Sequence, residues 1–389
     1  MNRICISNSE FKERIKKAQL LMAKQGIDLM FAFGNEAEPQ FVRYFSDYWP
    51  SFETAAVVFG QTGDPILLIG PESLTYASDR SRIKDIKQVK SFRESSNPDY
   101  PGLRLDTLED ITGSVTSGKI AVAAIAGYNL VPKIVYDDFE TALKKFGDVK
   151  IVRGDELVME LRMIKTPDEL ACMRKAAEIT HAAMKYTIEN AKPGMTENQV
   201  RGLGVQSIYE NGGENDAFAF WTLAGEGSDQ AISRSRSKII QNEDFIQIGV
   251  SARYEGYVAS IGRSVFFGKP VPWLADAIKA AYEAQIAIIS ELRAGNNAGN
   301  VAKVHKEIMT RTGHADMLLY GPCHATGLME GEPPWIEEGS DYLLQENMCF
   351  CACLFLGKNS YGLRVEDSVR VGATCGENLT NYAQEIFVK

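Results

Sequence analysis

Two apolar segments around one turn signal constrain the fold of this chain more than any other feature. In the stretch FIQIGVSARYEGYVASIGRSVFF, residues 245–267, the apolar side chains of Ile246, Ile248 and Val250 recur with period two. A Glu255-Gly256 turn signal follows, and a second apolar segment comes directly after it. Alternation on both sides of a short turn is typical of an antiparallel hairpin. The stretch therefore predicts two long strands at the centre of a large domain.

The length and charge of the chain narrow the classes of protein to which it can belong. With 389 residues it is longer than one ordinary hydrophobic core, so we expect two domains. The net charge is −9 and no Lys/Arg cluster forms a basic stripe, which argues against a nucleic-acid partner. No apolar run reaches the roughly 18 residues that cross a bilayer, and the N-terminus lacks an apolar signal core. We therefore expect a cytoplasmic protein with 7 reduced cysteines and no membrane partner.

Residues 1–154 alternate between strand and helix signals and predict an α/β domain. A capping-box pattern at residues 7–10 precedes a helix that ends at Gly26. Apolar runs predict strands at 29–33, 55–59, 65–69, 89–92 and 120–125, and a helical pattern covers 137–146. We interpret this domain as a scaffold or dimerisation domain. Its polar and aromatic loops at residues 35–39 and 48–51 are the candidates for a contact with a second copy.

Residues 155–389 predict a second domain that carries the hairpin. Thr166, Pro167 and Glu169 are arranged as an N-cap, a first helical residue and a capping-box partner, so we expect a helix from there to about residue 191. Thr196 opens a second capping box. Helices are also expected over residues 272–293 and 298–312, after the hairpin.

The hairpin and several later segments resemble the pita-bread family, which includes methionine aminopeptidase, aminopeptidase P, prolidase and creatinase. The turn PCHATGL keeps a family histidine as His324, and the strand GLRVED keeps a family glutamate as Glu366. The resemblance is close over residues 155–375. It implies an α/β (α+β) protein, with an N-terminal creatinase-type domain and a C-terminal pita-bread domain, that forms a homodimer.

The resemblance also implies a pair of divalent cations, but most of the residues that would serve them are replaced. Other residues stand at four of the family's site positions: Gly249, Ser260, Gly331 and Cys353. Two adjacent dications need several bridging carboxylates, so we expect no dinuclear metal centre and no cofactor. One soft ion on His324, Cys353 and Glu366 remains open, because thiolate and imidazole suit zinc. We interpret Cys349 and Cys351 as small core residues.

His324 is the candidate proton carrier, because imidazole is the usual acid/base group near neutral pH. Glu366 would orient His324 or bind a cationic substrate, with a salt bridge to Arg364 as the alternative. Alternation along the strand puts residues 364 and 366 on one face. Arg263 matches a family arginine, and we favour a structural ion pair over a substrate role for this residue. The full set of candidate substrate-binding residues is Asp229, Arg234, Arg263, Glu330, Glu332, Cys353 and Arg364.

These residues predict a creatinase-like, metal-independent hydrolase of a C–N bond in a small, cationic or amidino molecule. The histidine that creatinase and aminopeptidase P place before the hairpin is missing, since residues 227–234 contain no histidine. Two alternatives therefore stay open. One is a pseudoenzyme that binds a peptide or metabolite in the cleft, and the other is a divergent Xaa-Pro peptidase.

Overall fold

The computed structural model describes residues 3–218 and 221–389. The chain forms two compact units, Ile6–Arg162 and Met163–Lys389, and the second unit also includes residues 3–5. The predicted boundary after residue 154 lies at the start of the helix Asp155–Met163. Among the described residues, no helix combines the length and the apolar character needed to cross a membrane.

The N-terminal unit is built on one six-stranded sheet with helices packed against it. Its elements are α1 (Asn8–Gln25), β1 (Leu29–Gly34), α2 (Gln40–Ser46), β2 (Ala55–Gly60), β3 (Ile66–Ile69), α3 (Leu74–Arg80), β4 (Ile86–Gln88), α4 (Leu108–Thr116), β5 (Val122–Ala126), α5 (Lys133–Lys144), β6 (Lys150–Arg153) and α6 (Asp155–Met163). The strand order is β4-β3-β2-β1-β5-β6. Strand β1 is antiparallel to β2 and parallel to β5, so the sheet is mixed.

Local signals set the first helix as predicted, while one predicted strand of this unit is wrong. The Ser7 side chain accepts a hydrogen bond from the backbone N–H of Glu10, and Gly26 ends the helix with φ at 69°. The segment expected as a strand at residues 89–92 contains a 3₁₀ turn, Lys90–Phe92, and the strand is Ile86–Gln88 instead. Phe92 is fully buried in the core of the unit, which explains the apolar signal without a strand.

The C-terminal unit surrounds a larger sheet with four long helices. Its elements are α7 (Pro167–Asn190), α8 (Glu197–Glu210), β7 (Asn215–Asp216), β8 (Trp221–Ala224), β9 (Phe245–Tyr254), β10 (Tyr257–Phe266), α9 (Pro272–Glu291), α10 (Ala298–Arg311), β11 (Cys323–Ala325), β12 (Glu332–Ile336), β13 (Cys349–Lys358), β14 (Tyr361–Arg370), β15 (Glu377–Asn378) and β16 (Phe387–Val388). The main strand order is β12-β11-β13-β14-β10-β9-β7, with β8 beside β9.

The predicted hairpin and both predicted capping boxes of this unit are confirmed. Strands β9 and β10 pair antiparallel along their whole length. Glu255 and Gly256 connect them with φ angles of 47° and 87°, the left-handed pair that matches the twist of a two-residue hairpin. The capping boxes at Thr166 and Thr196 start α7 and α8.

The two faces of the sheet have different chemistry. On β13, the side chains of Phe350, Ala352 and Leu354 are packed in an apolar core together with residues of α9 and α10. Because successive side chains of a strand point to opposite faces, Cys351 and Cys353 lie on the other face. That second face carries the polar residues described next.

Candidate active site

Two rows of side chains cross the sheet on the face opposite the apolar core. The first row comprises His324, Cys351, Ser368, Ser260 and Ser251. Strand pairing aligns His324 with Cys351, Cys351 with Ser368, and Ser260 with Ser251. The backbone N–H of Ser260 connects the two parts of the row by donating to Ser368 Oγ at 2.9 Å. The second row comprises Cys353, Glu366, Gly262, Gly249 and Trp221. Backbone pairing therefore brings residues that are far apart in sequence onto one surface.

A compact polar cluster surrounds His324 at one end of the first row. His324 Nε2 lies 3.5 Å from Glu330 Oε1, and its Nδ1 lies 3.2 Å from the backbone oxygen of Ala325. The donor atoms of His324, Glu330 and Cys351 all lie within 4.8 Å of one another. Glu330 Oε1 also lies 3.5 Å from Ser260 Oγ. Imidazole, carboxyl and thiol groups thus share one buried site.

Burial controls the protonation of this cluster. Burial raises the pKa of the Glu330 carboxyl, and the nearby His324 opposes that rise, while Glu366 adds to it. Burial likewise raises the pKa of the Cys351 thiol well above its ordinary value, and the carboxyl groups of Glu366 and Glu330 raise it further. Glu330 and Cys351 therefore hold their protons more tightly than the same groups would in water.

A guanidinium group occupies the centre of the second row. Arg364 Nη1 donates to Glu366 Oε2 at 3.0 Å and to Cys353 Sγ at 2.9 Å. Its Nη2 donates to the backbone oxygen of Ala231 at 2.6 Å, and its carbon Cζ lies 4.8 Å from the Trp221 ring centroid. The expectation that residues 364 and 366 share a face is confirmed by this contact.

The ion pair sets the charge of Glu366. Burial acts to raise the pKa of this carboxyl, but Arg364 lowers it, with smaller contributions from Cys353 and His324, and the balance holds the pKa below its ordinary value. Burial raises the pKa of the Cys353 thiol well above its usual value in spite of Arg364. Glu366 is 1% exposed, and its Oε1 has no hydrogen-bond partner among the described residues 3–218 and 221–389.

The residues present do not fit the pair of divalent cations that the pita-bread resemblance implies. Gly249 offers no side-chain ligand, and a Cβ atom there would lie 2.9 Å from Trp221 Nε1, so the indole fills the space of the missing side chain. Ser260 offers a neutral hydroxyl in place of a carboxylate, and its Oγ donates a hydrogen bond to Ser251 Oγ at 3.0 Å. Cys353 is turned to Arg364, whose fixed positive charge opposes a second cation nearby. We therefore assign no reaction step to a dinuclear centre.

Two candidate substrate-binding residues, Arg263 and Glu332, have buried structural partners. For Arg263 this confirms the structural ion pair favoured from the sequence, whereas the substrate-binding role predicted for Glu332 is corrected. Arg263 is fully buried and pairs with Asp367 Oδ2 at 2.8 Å. Both residues alternate with site residues along their strands, so they lie on the opposite face. Glu332 is buried against Lys165 Nζ at 3.4 Å. The Arg263 guanidinium and the Glu332 carboxylate are thus each held in a buried ion pair.

Two other predicted residues, Asp229 and Arg234, lie at the surface. Both are exposed, in the segment that leads into the hairpin. The backbone of this segment covers the start of β14, where a Cβ at Gly362 would lie 2.7 Å from Asp229 Cα. Among the hydrogen bonds and ion pairs of the described chain, none joins either side chain to His324 or Glu366. The segment contributes a backbone oxygen, that of Ala231, rather than these charges.

Sequence reasoning missed Cys351 and Trp221. Cys351 is fully buried, as expected of a core residue, but the sequence did not show that its thiol lies beside His324 and Glu330. The alternation of the CFCAC run, which puts residues 349, 351 and 353 on one face, was the available signal. Trp221 had no comparable signal, since its position over Gly249 depends on the pairing of β8 with β9.

Two family models match the chain, one in each half. The model of metallopeptidase family M24 matches residues 171–373, and that of the creatinase/prolidase N-terminal domain matches residues 14–164. The chain is 24% identical to a Xaa-Pro dipeptidase of Pyrococcus furiosus, over 97% of this chain and 100% of the relative. It is 21% identical to the uncharacterized peptidase YqhT of Bacillus subtilis, over 96% and 99%.

Solved structures with the same fold cover nearly the whole chain. An X-Pro aminopeptidase from Thermotoga maritima superposes with a TM-score of 0.83 at 24% identity, covering 97% of this chain and 99% of that one. A prolidase from Pyrococcus horikoshii gives a TM-score of 0.81 at 21% identity, covering 96% and 100%. The predicted fold class, a creatinase-type domain followed by a pita-bread domain, is confirmed.

Proposed function

The chain belongs to metallopeptidase family M24, and from that premise we propose that it hydrolyses a C–N bond in a short peptide or peptide-like small molecule. The relatives described above are peptidases, so their names support the Xaa-Pro peptidase alternative better than the creatinase-like hydrolase that the sequence led us to expect. Xaa-Pro dipeptides are therefore the first substrates to test, and amidino compounds come second.

The contact between His324 and Glu330 carries the proposal. His324 Nε2 and Glu330 Oε1 lie 3.5 Å apart in a largely buried site, so a small movement on substrate binding would bring them to hydrogen-bond distance for proton transfer. Hydrolysis requires that a water oxygen bond to the carbonyl carbon, that the C–N bond break, and that the leaving nitrogen gain a proton. A carboxyl whose pKa is raised by burial keeps its proton to a higher pH than a carboxyl in water, which suits it to donate that proton.

Arg364 and Glu366 would set the electrostatic environment for the substrate. Their ion pair keeps Glu366 charged, and the guanidinium is also held by Cys353 Sγ and the backbone oxygen of Ala231. Negative charge beside the reacting site favours a substrate with a free amino group, and the opposite charge on Arg364 limits how many cations it can accept. This supports a dipeptide with a free N-terminus over a substrate with several positive charges.

One observation favours a second candidate, a binding protein without chemistry. The Trp221 indole fills the space above Gly249, and this packing removes a ligand position of the family's reaction centre without replacing its chemistry. A protein that had become a peptide-binding module would need no substitute there.

A substrate screen distinguishes these candidates. Wild-type protein is incubated with Xaa-Pro dipeptides, other dipeptides and amidino compounds, and release of free amine is followed. We expect turnover, with a loss of about 10²–10⁴-fold in Glu330→Gln, the range of a positioned acid/base group. Glu338→Gln is the matched control, because Glu338 is an exposed partner of Lys306. No turnover of any compound, together with saturable peptide binding, would support the binding protein instead.

The homodimer and the cytoplasmic location stay predictions. Light scattering across micromolar concentrations tests the first, and a mass corresponding to a single chain throughout would contradict it.

A further inference from the structure

We propose that the cluster of His324, Glu330 and Cys351 binds one zinc ion. The site differs from the family's pair of cations, because only His324 of these three residues stands at a family ligand position. It also differs from the set that the sequence left open, in which Cys353 and Glu366 were the partners of His324. The following geometry supports the site.

The three donor atoms are close to the spacing that one ion needs. They lie within 4.8 Å of one another. Zinc bonds of about 2.0–2.3 Å in a tetrahedron separate the ligand atoms by roughly 3.3–3.8 Å, so movements of about 1 Å suffice. Imidazole, thiolate and carboxylate are the ligands that zinc uses in proteins, whereas magnesium and calcium prefer oxygen alone.

The backbone fixes two of the three ligands. His324 on β11 and Cys351 on β13 are paired directly across the sheet, so their relative position does not depend on a flexible loop. Both are buried, with His324 8% and Cys351 0% exposed. Glu330 comes from the turn between β11 and β12 and reaches His324 Nε2. Because two ligands are already held by the sheet and only the Glu330 side chain must adjust, binding an ion would cost little conformational entropy.

The second ring nitrogen of His324 supports this assignment. Its Nδ1 lies 3.2 Å from the backbone oxygen of Ala325. An Nδ1–H that donates to a carbonyl leaves the lone pair on Nε2, which faces Glu330. This is the arrangement in which metal-bound histidines are usually oriented.

A second carboxylate, that of Glu366, contributes to the electrostatic environment of the cluster. Glu366 Oε1 is buried and has no hydrogen-bond partner among the described residues, while Oε2 is occupied by Arg364. Glu366 is not among the three residues whose donor atoms lie within 4.8 Å of one another, but its carboxylate raises the pKa of both Glu330 and Cys351. An unpartnered buried carboxylate oxygen carries a desolvation cost, which an ion would offset. The negative charges of Glu330, Glu366 and a Cys351 thiolate, less the positive charge of Arg364, balance one dication and not two.

Metal content and cobalt absorption test the inference on the intact protein. Zinc is removed with a chelator, and Zn²⁺ or Co²⁺ is then titrated back. We expect one ion per chain and, with Co²⁺, a thiolate-to-cobalt charge-transfer band. Cys351→Ser should weaken binding at least about 100-fold, beyond the range for outer-shell changes, and abolish that band. Cys349→Ser is the matched control, because Cys349 lies on the same strand and face outside the cluster and should change neither.

Three outcomes of the metal titration bear on whether zinc binds at this cluster. Wild-type protein that takes up less than a tenth of an ion per chain would overturn the inference and support the metal-free site expected from the sequence. A band that persists in Cys351→Ser would place the ion at another thiol. If that variant does not fold by circular dichroism, Glu330→Gln replaces it, and the inference requires weaker binding with the band retained. Because these readouts need no turnover, the ion site and the proposed hydrolysis can fail separately.

Discussion

The central hairpin and the neighbouring strands β11, β13 and β14 form two halves of one polar surface, and they differ in what their side chains can do. On the hairpin, Gly249 and Ser260 stand where the family has carboxylates, and Trp221 packs over the glycine. On the other half, His324 and Glu366 occupy family positions. Glu330 and Cys351 join His324 there in one cluster.

This difference shows how a site can change without loss of the fold. The hairpin strands keep their pairing and length because their apolar faces still pack in the core. The polar face tolerates Gly249 because the Trp221 indole fills the space beside it. It tolerates Ser260 because the hydroxyls of Ser260 and Ser251 are hydrogen-bonded to each other. Reactive groups are therefore concentrated on the half that includes His324.

The largest expected effect comes from removing the buried cation of the reactive half. Arg364→Met leaves Glu366 buried without its partner, which should lower the free energy of unfolding by about 3–5 kcal/mol. Lys358→Met is the control, because its pair with Asp316 is exposed, and we expect a loss of at most about 1 kcal/mol. Denaturant unfolding measures both. Equal effects would mean that Arg364 is not the charge partner on which Glu366 depends.

His305, which is buried among the helices on the apolar side of the sheet, should make the free energy of unfolding depend on pH. This effect must be distinguished from any pH dependence caused by the polar cluster. His305 is buried on α10, and burial lowers its pKa from 6.5 to about 4. The unfolded chain therefore takes up this proton first as pH falls. That linkage should cost about 3 kcal/mol of unfolding free energy between pH 7 and pH 4. The contribution is present above pH 6.5 and is lost towards pH 4.

Unfolding of His305→Gln across this range checks the effect. Without the buried imidazole, the variant should lose less stability than the wild type as the pH falls. Parallel stability curves for the two proteins would assign the acid sensitivity to other groups, with the polar cluster as the first candidate.

Restoring a carboxylate on the hairpin should be unfavourable while Trp221 is present. In Gly249→Asp the new Cβ would meet the indole at 2.9 Å, and overpacking of this kind costs about 1–3 kcal/mol of unfolding free energy. Trp221→Ala in the same chain should relieve the clash, so the double variant should be more stable than the sum of the single effects predicts. A double-mutant cycle measures this coupling. Additive effects would show that Trp221 does not occupy the aspartate's space.

The smallest effect is expected at the serines of the hairpin. Ser251 Oγ donates to the backbone oxygen of Ala259 at 3.1 Å and contacts Ser260 Oγ at 3.0 Å. Ser251→Ala should cost about 1 kcal/mol of unfolding free energy, the net value of a hydrogen bond. If the hairpin half takes no part in chemistry, turnover should stay within about twofold, because no group near the reacting bond is lost. A tenfold fall in the turnover number of Ser251→Ala, with the fold unchanged, would show that the hairpin takes part in catalysis.

The sequence predicted those features that depend on neighbouring residues. Period-two alternation located the hairpin, the capping boxes at Thr166 and Thr196 located two helix starts, and alternation put Arg364 and Glu366 on one face. Each of these signals lies within a few residues, so local physics decides the outcome.

Features that depend on the pairing of distant strands could not be predicted. The contact of His324 with Cys351 needs the register of β11 against β13, and the position of Trp221 over Gly249 needs the pairing of β8 with β9. The burial of Arg263 with Asp367 follows from the face to which each side chain points. In all three cases the sequence names the residues, while the partner is fixed by tertiary structure.

Anomalous X-ray diffraction from crystals grown with excess Zn²⁺ and Mn²⁺ tests most directly the claim that the reactive groups lie on one half of the surface. We predict one peak within bonding distance of His324 Nε2, Glu330 and Cys351 Sγ, and none above Gly249 and Ser260. Two peaks about 3.5–4 Å apart, with one held over the hairpin, would contradict this account, because that is the spacing of a dinuclear centre.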